Sequence, residues 1–221
     1  MSMTTIFTNF EYATEVCDVA KLFFCDAVPI GEREDADITV VEEKTGSVYL
    51  YIAVYNGCKE ECSFVPAGNE LQTVRLRKRY AKIALYRVLS RVTGVAMPWG
   101  SLTGIRPTKL ARQLSKETPD WKKDFTELLD VSHEKTSLVA EILQTQGSLR
   151  QNITDGADLY IGIPFCVSRC SYCSFTSGEL NRLRKYVEPY VDALCDDISQ
   201  TIAFARERGI ALNNVYFGGG T

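Results

Sequence analysis

Cys166-Val-Ser-Arg-Cys170-Ser-Tyr-Cys173 follows directly on the apolar run Leu159-Tyr-Ile-Gly-Ile163. A short apolar run bounded by a loop reads as a buried strand, so three thiols are placed on one tight loop at a strand end. Downstream, Tyr190, Leu194, Ile198 and Ile202 recur at helical spacing, and Gly209 closes that helix. Asn214-Val-Tyr-Phe217 then reads as a second strand, running into Gly218-Gly-Gly-Thr221. Strand, loop, helix and strand make a β-α-β unit, which implies a parallel sheet with a right-handed crossover. The cysteine loop and the glycine run would then end neighbouring strands and face one crevice.

Three thiolates at C-x3-C-x2-C spacing can close on three corners of an iron–sulfur cubane, leaving one iron without a protein ligand and free to bind a cofactor. The alternative is a zinc site completed by a distant thiolate such as Cys195. Cys195, however, falls near the apolar face of the predicted helix, where a buried thiol is commonplace. The consecutive glycines let a ligand approach the backbone without interference from Cβ atoms.

The rest of the composition narrows the classes. The chain has 221 residues, 45% hydrophobic and 24% charged, which excludes a disordered protein. Its single histidine, His133, argues against His-rich metal sites and against Ser-His-Asp or Cys-His hydrolases. It sits in the polar stretch Asp130-Val-Ser-His-Glu134 and receives no role. No apolar run approaches the ~20 residues of a membrane span, and no basic stretch followed by an apolar one opens the chain. Eight cysteines are therefore expected in a reducing, cytoplasmic setting, where clustered thiols hold metal rather than form disulfides. Cys58 and Cys62 flank acidic residues and read as ordinary thiols, as do Cys17 and Cys25.

Residues 1–150 follow a different pattern and are read as an α+β domain. Val16, Val19, Ala20, Phe23 and Phe24 share a helix face, and Pro29 and Gly31 read as breakers. The stretches 38–41 and 48–54 are β-rich around Lys44-Thr-Gly-Ser47, a hairpin signal. A helix is expected over about 70–92, with Ala81, Leu85, Val88, Leu89 and Val92 inward and Gly94 as its cap. Further helix is expected to about residue 146, and the polar stretch 150–156 marks a domain boundary. Residues 1–70 hold 4 basic and 13 acidic side chains, whereas residues 71–116 hold 11 basic and none acidic. The basic block reads as a helix surface complementing the acidic one, with substrate binding as the alternative. Nucleic acid is disfavoured because Tyr80, Tyr86 and Trp99 are scattered rather than arranged for stacking.

Three stretches carry a family resemblance: Tyr160-Ile-Gly-Ile-Pro-Phe-Cys166, Cys170-Ser-Tyr-Cys173-Ser-Phe175 and Tyr216-Phe-Gly-Gly-Gly-Thr221. They resemble the oxygen-independent coproporphyrinogen III oxidases, a family of radical S-adenosylmethionine enzymes that includes haem-chaperone relatives. Trp99-Gly-Ser-Leu-Thr-Gly-Ile-Arg-Pro-Thr-Lys109 resembles the Firmicutes-type coproporphyrinogen dehydrogenase branch. The resemblance implies that residues 157–221 begin a partial (β/α)6 barrel. It also implies that Cys166, Cys170 and Cys173 bind a [4Fe-4S] cluster and that Tyr160 lies against S-adenosylmethionine. Tyr172 would flank the last cluster cysteine, and Gly219, Gly220 and Thr221 would contact the methionine end of the cofactor. Phe175 and Gly162 stand where the oxidase proper often carries a cysteine and a histidine. The implied chemistry is cleavage of S-adenosylmethionine to a 5′-deoxyadenosyl radical, hydrogen abstraction from a propionate side chain and decarboxylation to a vinyl group. A porphyrinogen or haem ligand and an electron donor would be the partners. Such a barrel needs roughly 180 residues at ~30 per βα unit, so the chain is expected to be an inactive portion of a longer protein.

Overall fold

Asn56 and Gly57 both adopt positive φ, 47° and 75°, the conformation of a two-residue type I′ turn, for which Asn-Gly is the favoured pair. That turn folds strand β4 (Val48–Tyr55) back onto β5 (Cys58–Phe64), and the Gly46-Ser47 turn folds β3 (Ile38–Thr45) onto β4. The computed structural model describes residues 3–149 and 156–220. The chain divides into two compact units, Met1–Leu149 and Arg150–Thr221.

The first unit is built on a five-stranded sheet of order β2-β1-β3-β4-β5, with β1 (Thr4–Thr8) parallel to both β2 (Ala27–Ile30) and β3. Helix α1 (Ala13–Ala20) connects β1 to β2. Helix α1 ends at Ala20, ahead of Pro29, which lies in the edge strand β2, where a missing N–H is tolerated. Helix α2 (Glu70–Thr93) starts at a capping box and ends at Gly94, whose φ of 71° is left-handed. In the box the Asn69 side chain accepts from the Gln72 N–H at 2.9 Å, and the Asn69 N–H donates to the Gln72 side chain at 3.0 Å.

Ile83, Leu85, Val88 and Leu89 of α2 are fully buried, as are Ile38, Val40 and Tyr51 of the sheet. Each large aliphatic side chain so buried contributes ~1.5–3 kcal/mol. The expected inward face holds at Ala81, Leu85, Val88 and Leu89, while Ile83, Ala84 and Tyr86 are buried as well. Helices α3 (Pro107–Glu117), α4 (Trp121–Lys123, running into a π-turn at Asp124–Leu128) and α5 (His133–Leu149) follow. Gly100, at φ 55°, lets the loop ahead of α3 press on the backbone of Leu129, where an added Cβ would stand 2.2 Å from the carbonyl oxygen.

In the second unit β6 (Ala157–Ile163) pairs in parallel with β9 (Leu212–Gly219), Tyr160 opposite Tyr216 and Gly162 opposite Gly218. Between them lie the short parallel pair β7 (Phe165–Cys166) and β8 (Gly178–Glu179), then helices α6 (Leu180–Leu183) and α7 (Val187–Glu207). Tyr190, Leu194, Ile198 and Ile202 form the half-buried stripe of α7. Gly209, at φ 65°, ends it: its N–H donates to the Arg206 carbonyl at 3.1 Å and the Ile210 N–H to the Ala205 carbonyl at 2.8 Å, a Schellman motif. Of the described apolar side chains of this unit only Ile161 and Ala205 are buried, and Val215, Tyr216 and Phe217 stay exposed. Of the polar stretch 150–156, read as a boundary, residues 150–155 lie outside the described residues. No helix among the described residues is long and apolar enough to cross a membrane.

Candidate metal and cofactor site

Phe165 and Cys166 pair with Gly178 and Glu179, so β7 and β8 clasp the base of the loop that carries all three cysteines. The Gly178 N–H donates to the Pro164 carbonyl at 2.9 Å, a second tie across the same base. Within the loop the Cys173 N–H donates to the Cys170 carbonyl at 3.1 Å, a tight turn that keeps these two cysteines close along the chain. Cys166 and Cys173 are half-buried and Cys170 is exposed, and all three are free thiols. Among the described residues, no three His, Cys, Asp or Glu side chains converge enough to enclose a metal ion.

The glycine run is joined to this loop through the backbone. Gly219 lies opposite Ile163, and the Gly220 N–H donates to the Ile163 carbonyl at 2.6 Å. A Cβ on Gly219, whose φ is 123°, would stand 2.2 Å from the Ile163 carbonyl oxygen. A Cβ on Gly220 would stand 1.5 Å from that of Phe165. Both distances are far inside van der Waals contact, so only glycine permits this approach. The neighbouring Thr221 lies outside the described residues.

Tyr160 and Tyr216 stack at 5.6 Å between ring centroids. Their rings occupy the space beside Gly162 and Gly218, where an added Cβ would come within 3.2 Å and 2.8 Å of tyrosine ring atoms. Tyr160 remains 57% exposed and Tyr172 87% exposed, so both rings are accessible to a ligand. Asn214 donates to Asp158 across the strand pair at 2.8 Å, adding a polar end to the tyrosine face.

Sequence reasoning placed Tyr190 on an apolar stripe and missed its hydroxyl. That hydroxyl donates to the Gly162 carbonyl at 2.6 Å, and the ring meets Phe165 edge-on at 5.2 Å. Tyr190 therefore positions the junction between β6 and the cysteine loop. A tyrosine at the start of a helix that packs under a strand end was the available signal.

Cys195 corrects an expectation. It is exposed rather than buried, in the middle of α7. Cys58 and Cys62 lie four residues apart on β5, ~13 Å along an extended strand, which is too far for one metal ion. Burial raises the Cys62 thiol pKa, with Arg87 acting in the opposite direction. His133 is exposed at the start of α5.

Three free thiols on a loop tied at its base have the donor chemistry of an iron–sulfur cluster, although their side chains do not converge on one point in this structure. Cys195, the thiol that would complete a four-thiolate zinc site, is exposed in the middle of α7.

No protein-family model matches the chain. It is 30% identical over 201 residues to the oxygen-independent coproporphyrinogen-III oxidase-like protein HemZ of Bacillus subtilis, covering 86% of this chain. It is also 38% identical over 63 residues, 28% of its length, to the heme chaperone HemW of Escherichia coli K12. Over a stretch of similar length it is 33% identical to anaerobilin synthase of Escherichia coli O157:H7. The chain belongs to the radical S-adenosylmethionine coproporphyrinogen oxidase family. It spans 38% of the length of the HemZ protein, 16% of HemW and 14% of anaerobilin synthase. Within this coproporphyrinogen oxidase family the match to HemZ extends over both units of the chain, whereas the HemW match is confined to 63 residues.

Proposed function

We propose that this chain carries the cluster- and cofactor-binding start of an enzyme that oxidatively decarboxylates coproporphyrinogen III propionates to vinyl groups without oxygen. The observation that carries the reading is the backbone junction of Gly219 and Gly220 with Ile163–Phe165, which joins the glycine run to the root of the cysteine loop. Cys166, Cys170 and Cys173 would hold a [4Fe-4S] cluster, and Tyr160, Tyr172, Gly219, Gly220 and Thr221 would border S-adenosylmethionine. When bound, that cluster supplies the electron that cleaves S-adenosylmethionine. Tyr190 holds the strand end from which the loop springs, and the stacked pair Tyr160 and Tyr216 offers an apolar surface to the cofactor. The substrate, an electron donor and a cytoplasmic setting belong to the same proposal.

A second reading, a haem chaperone using the same cluster, is favoured by the identity to HemW proteins, 42% over 66 residues for that of Synechocystis. The enzyme reading rests on similarity to the oxidase-like HemZ, whose match extends over 201 residues.

Anaerobic reconstitution with iron and sulfide tests the site. A brown protein with about four irons per chain is expected, lost in Cys170→Ala and retained in Cys58→Ala. A colourless protein holding about one zinc would overturn the cluster. In the whole protein, S-adenosylmethionine and coproporphyrinogen III should yield a vinyl-bearing product, whereas tight haem binding without turnover would favour the chaperone.

A further inference from the structure

The acidic first seventy residues neutralise only part of the basic block. Arg77 forks onto Glu42 at 2.9 and 2.6 Å, and Arg91 pairs with Glu60. Between α2 and α3 there remains a cleft of about 400 Å³ lined by Arg75, Lys78, Arg79, Lys82, Arg106 and Lys109. One carboxylate, Glu15, lines it too, and it is already bonded to Lys78 at 3.0 Å and Lys82 at 2.5 Å. Among the described residues, the side chains of Arg75, Arg79, Arg106 and Lys109 make no hydrogen bond or ion pair. Arg79 is half-buried, and its burial lowers its pKa, with Glu117 and Asp124 opposing from beyond ion-pair distance. A guanidinium withdrawn from water without a partner is unfavourable, and four unpaired cations repel one another. An anion would relieve both.

The loop Trp99–Lys109, singled out in the sequence, builds one wall. Buried Lys82 anchors it by donating to the Thr103 carbonyl at 3.0 Å, and Gly104, at φ 63°, turns the chain toward Arg106. Helix α3 then begins at the rim with Pro107 in its first turn, no side-chain cap and no acidic residue there. Pro107 has no N–H and the Lys109 and Leu110 N–H groups both donate to the Arg106 carbonyl at 3.1 Å, so what this helix end adds to the cleft is chiefly the positive end of its dipole, with no acidic side chain opposing it.

We propose that this cleft binds a small molecule through a diphosphate group. The class follows from the charge: six cations against one carboxylate need a multiply charged ligand, and Arg side chains engage phosphate oxygens in pairs. A concave site of this size suits a small molecule. No aromatic side chain lines it, so it offers no stacking platform for RNA bases or for a nucleotide base. Recognition therefore rests on the diphosphate, whether free or carried by a nucleotide.

Calorimetric titration of the 221-residue chain with inorganic diphosphate, and separately with ADP, tests this. One binding site is expected, weakened about ten-fold or more by Arg79→Gln and by Arg106→Gln. Arg91→Gln, which lies on another ion pair, should bind as before. Arg106 is exposed, so its variant should melt like the parent even if Arg79→Gln does not fold. Equal affinity for both probes would support diphosphate as the group recognised. Tighter ADP binding with the same dependence on Arg106 would support it with a nucleotide as source. No binding at millimolar diphosphate, unchanged affinity in Arg106→Gln, or capture of single-stranded RNA that diphosphate does not displace would overturn it.

Discussion

Gly220 tests the junction at the level of a single residue. Its N–H bonds Ile163, and a methyl group at its Cβ would drive into the Phe165 carbonyl. Gly220→Ala should therefore push the root of the cysteine loop away from β9. Iron retained after reconstitution is expected to fall at least about two-fold, against the parent's about four per chain. Undiminished iron in that variant would show that the loop does not depend on the glycine junction. Gly209→Ala is the control, because that glycine also has positive φ but nothing lies within 4 Å of its Cβ position. Its strain of about 1–3 kcal/mol should lower stability and leave the iron per folded chain unchanged.

At the scale of elements, α2 is held to the sheet by more than apolar packing. Glu42 of β3 accepts from Arg77 of α2 and from the Tyr51 hydroxyl of β4, and the Arg77 guanidinium lies over the rings of Phe10, Tyr12 and Tyr49 at 5.6–5.8 Å. Burial alone would raise the Glu42 pKa, but Arg77 and Tyr51 outweigh it and hold it below the ordinary carboxylate range. Glu15 is likewise raised by burial and lowered further by Lys82 and Lys78. A carboxylate with a depressed folded pKa stabilises above its unfolded value of roughly 4.3 and loses that stability as pH falls through the folded one. Asp130 opposes the trend, because burial raises its pKa despite Arg87. The melting temperature of the first unit is therefore expected to fall on acidification below about pH 4.3. Glu42→Gln should cost about 1.5–3 kcal/mol at pH 7 and flatten that fall. A melting temperature equally steep in the variant would remove Glu42 from this account.

At the scale of the molecule, the two units differ in how much they bury. The first encloses a continuous core from Ile6 to Val139, whereas the second buries only Ile161 and Ala205 among its described apolar side chains. Its sheet has two strands, β6 and β9, with Val215 and Phe217 open, and a two-stranded sheet is marginal without covering layers. Hydrogen exchange is expected to show strong protection across β3, β4 and α2 and rapid exchange across β6 and β9. Equal protection of both units would mean that contacts other than core burial stabilise the second.

Local patterns already carried much of this in the sequence. Lys44-Thr-Gly-Ser47 sits where the hairpin turns, and the 3.6-residue spacing marks the buried face of α2 and the half-buried stripe Tyr190 to Ile202 of α7. Three cysteines at C-x3-C-x2-C spacing after an apolar run pointed to one loop at a strand end. These are short-range effects, decided by neighbours within a turn or a strand. Strands β1, β2 and β5 were not read from the sequence. Two of them are short and pair across long separations, and the third hides in Cys58-Lys-Glu-Glu-Cys62, whose charges mask its alternation. Only tertiary structure brought Glu42 under Arg77, 35 residues away, and Gly220 onto Ile163. Which cations were left without partners was also decided there. Net charge says how many exist, but pairing depends on which element folds against which.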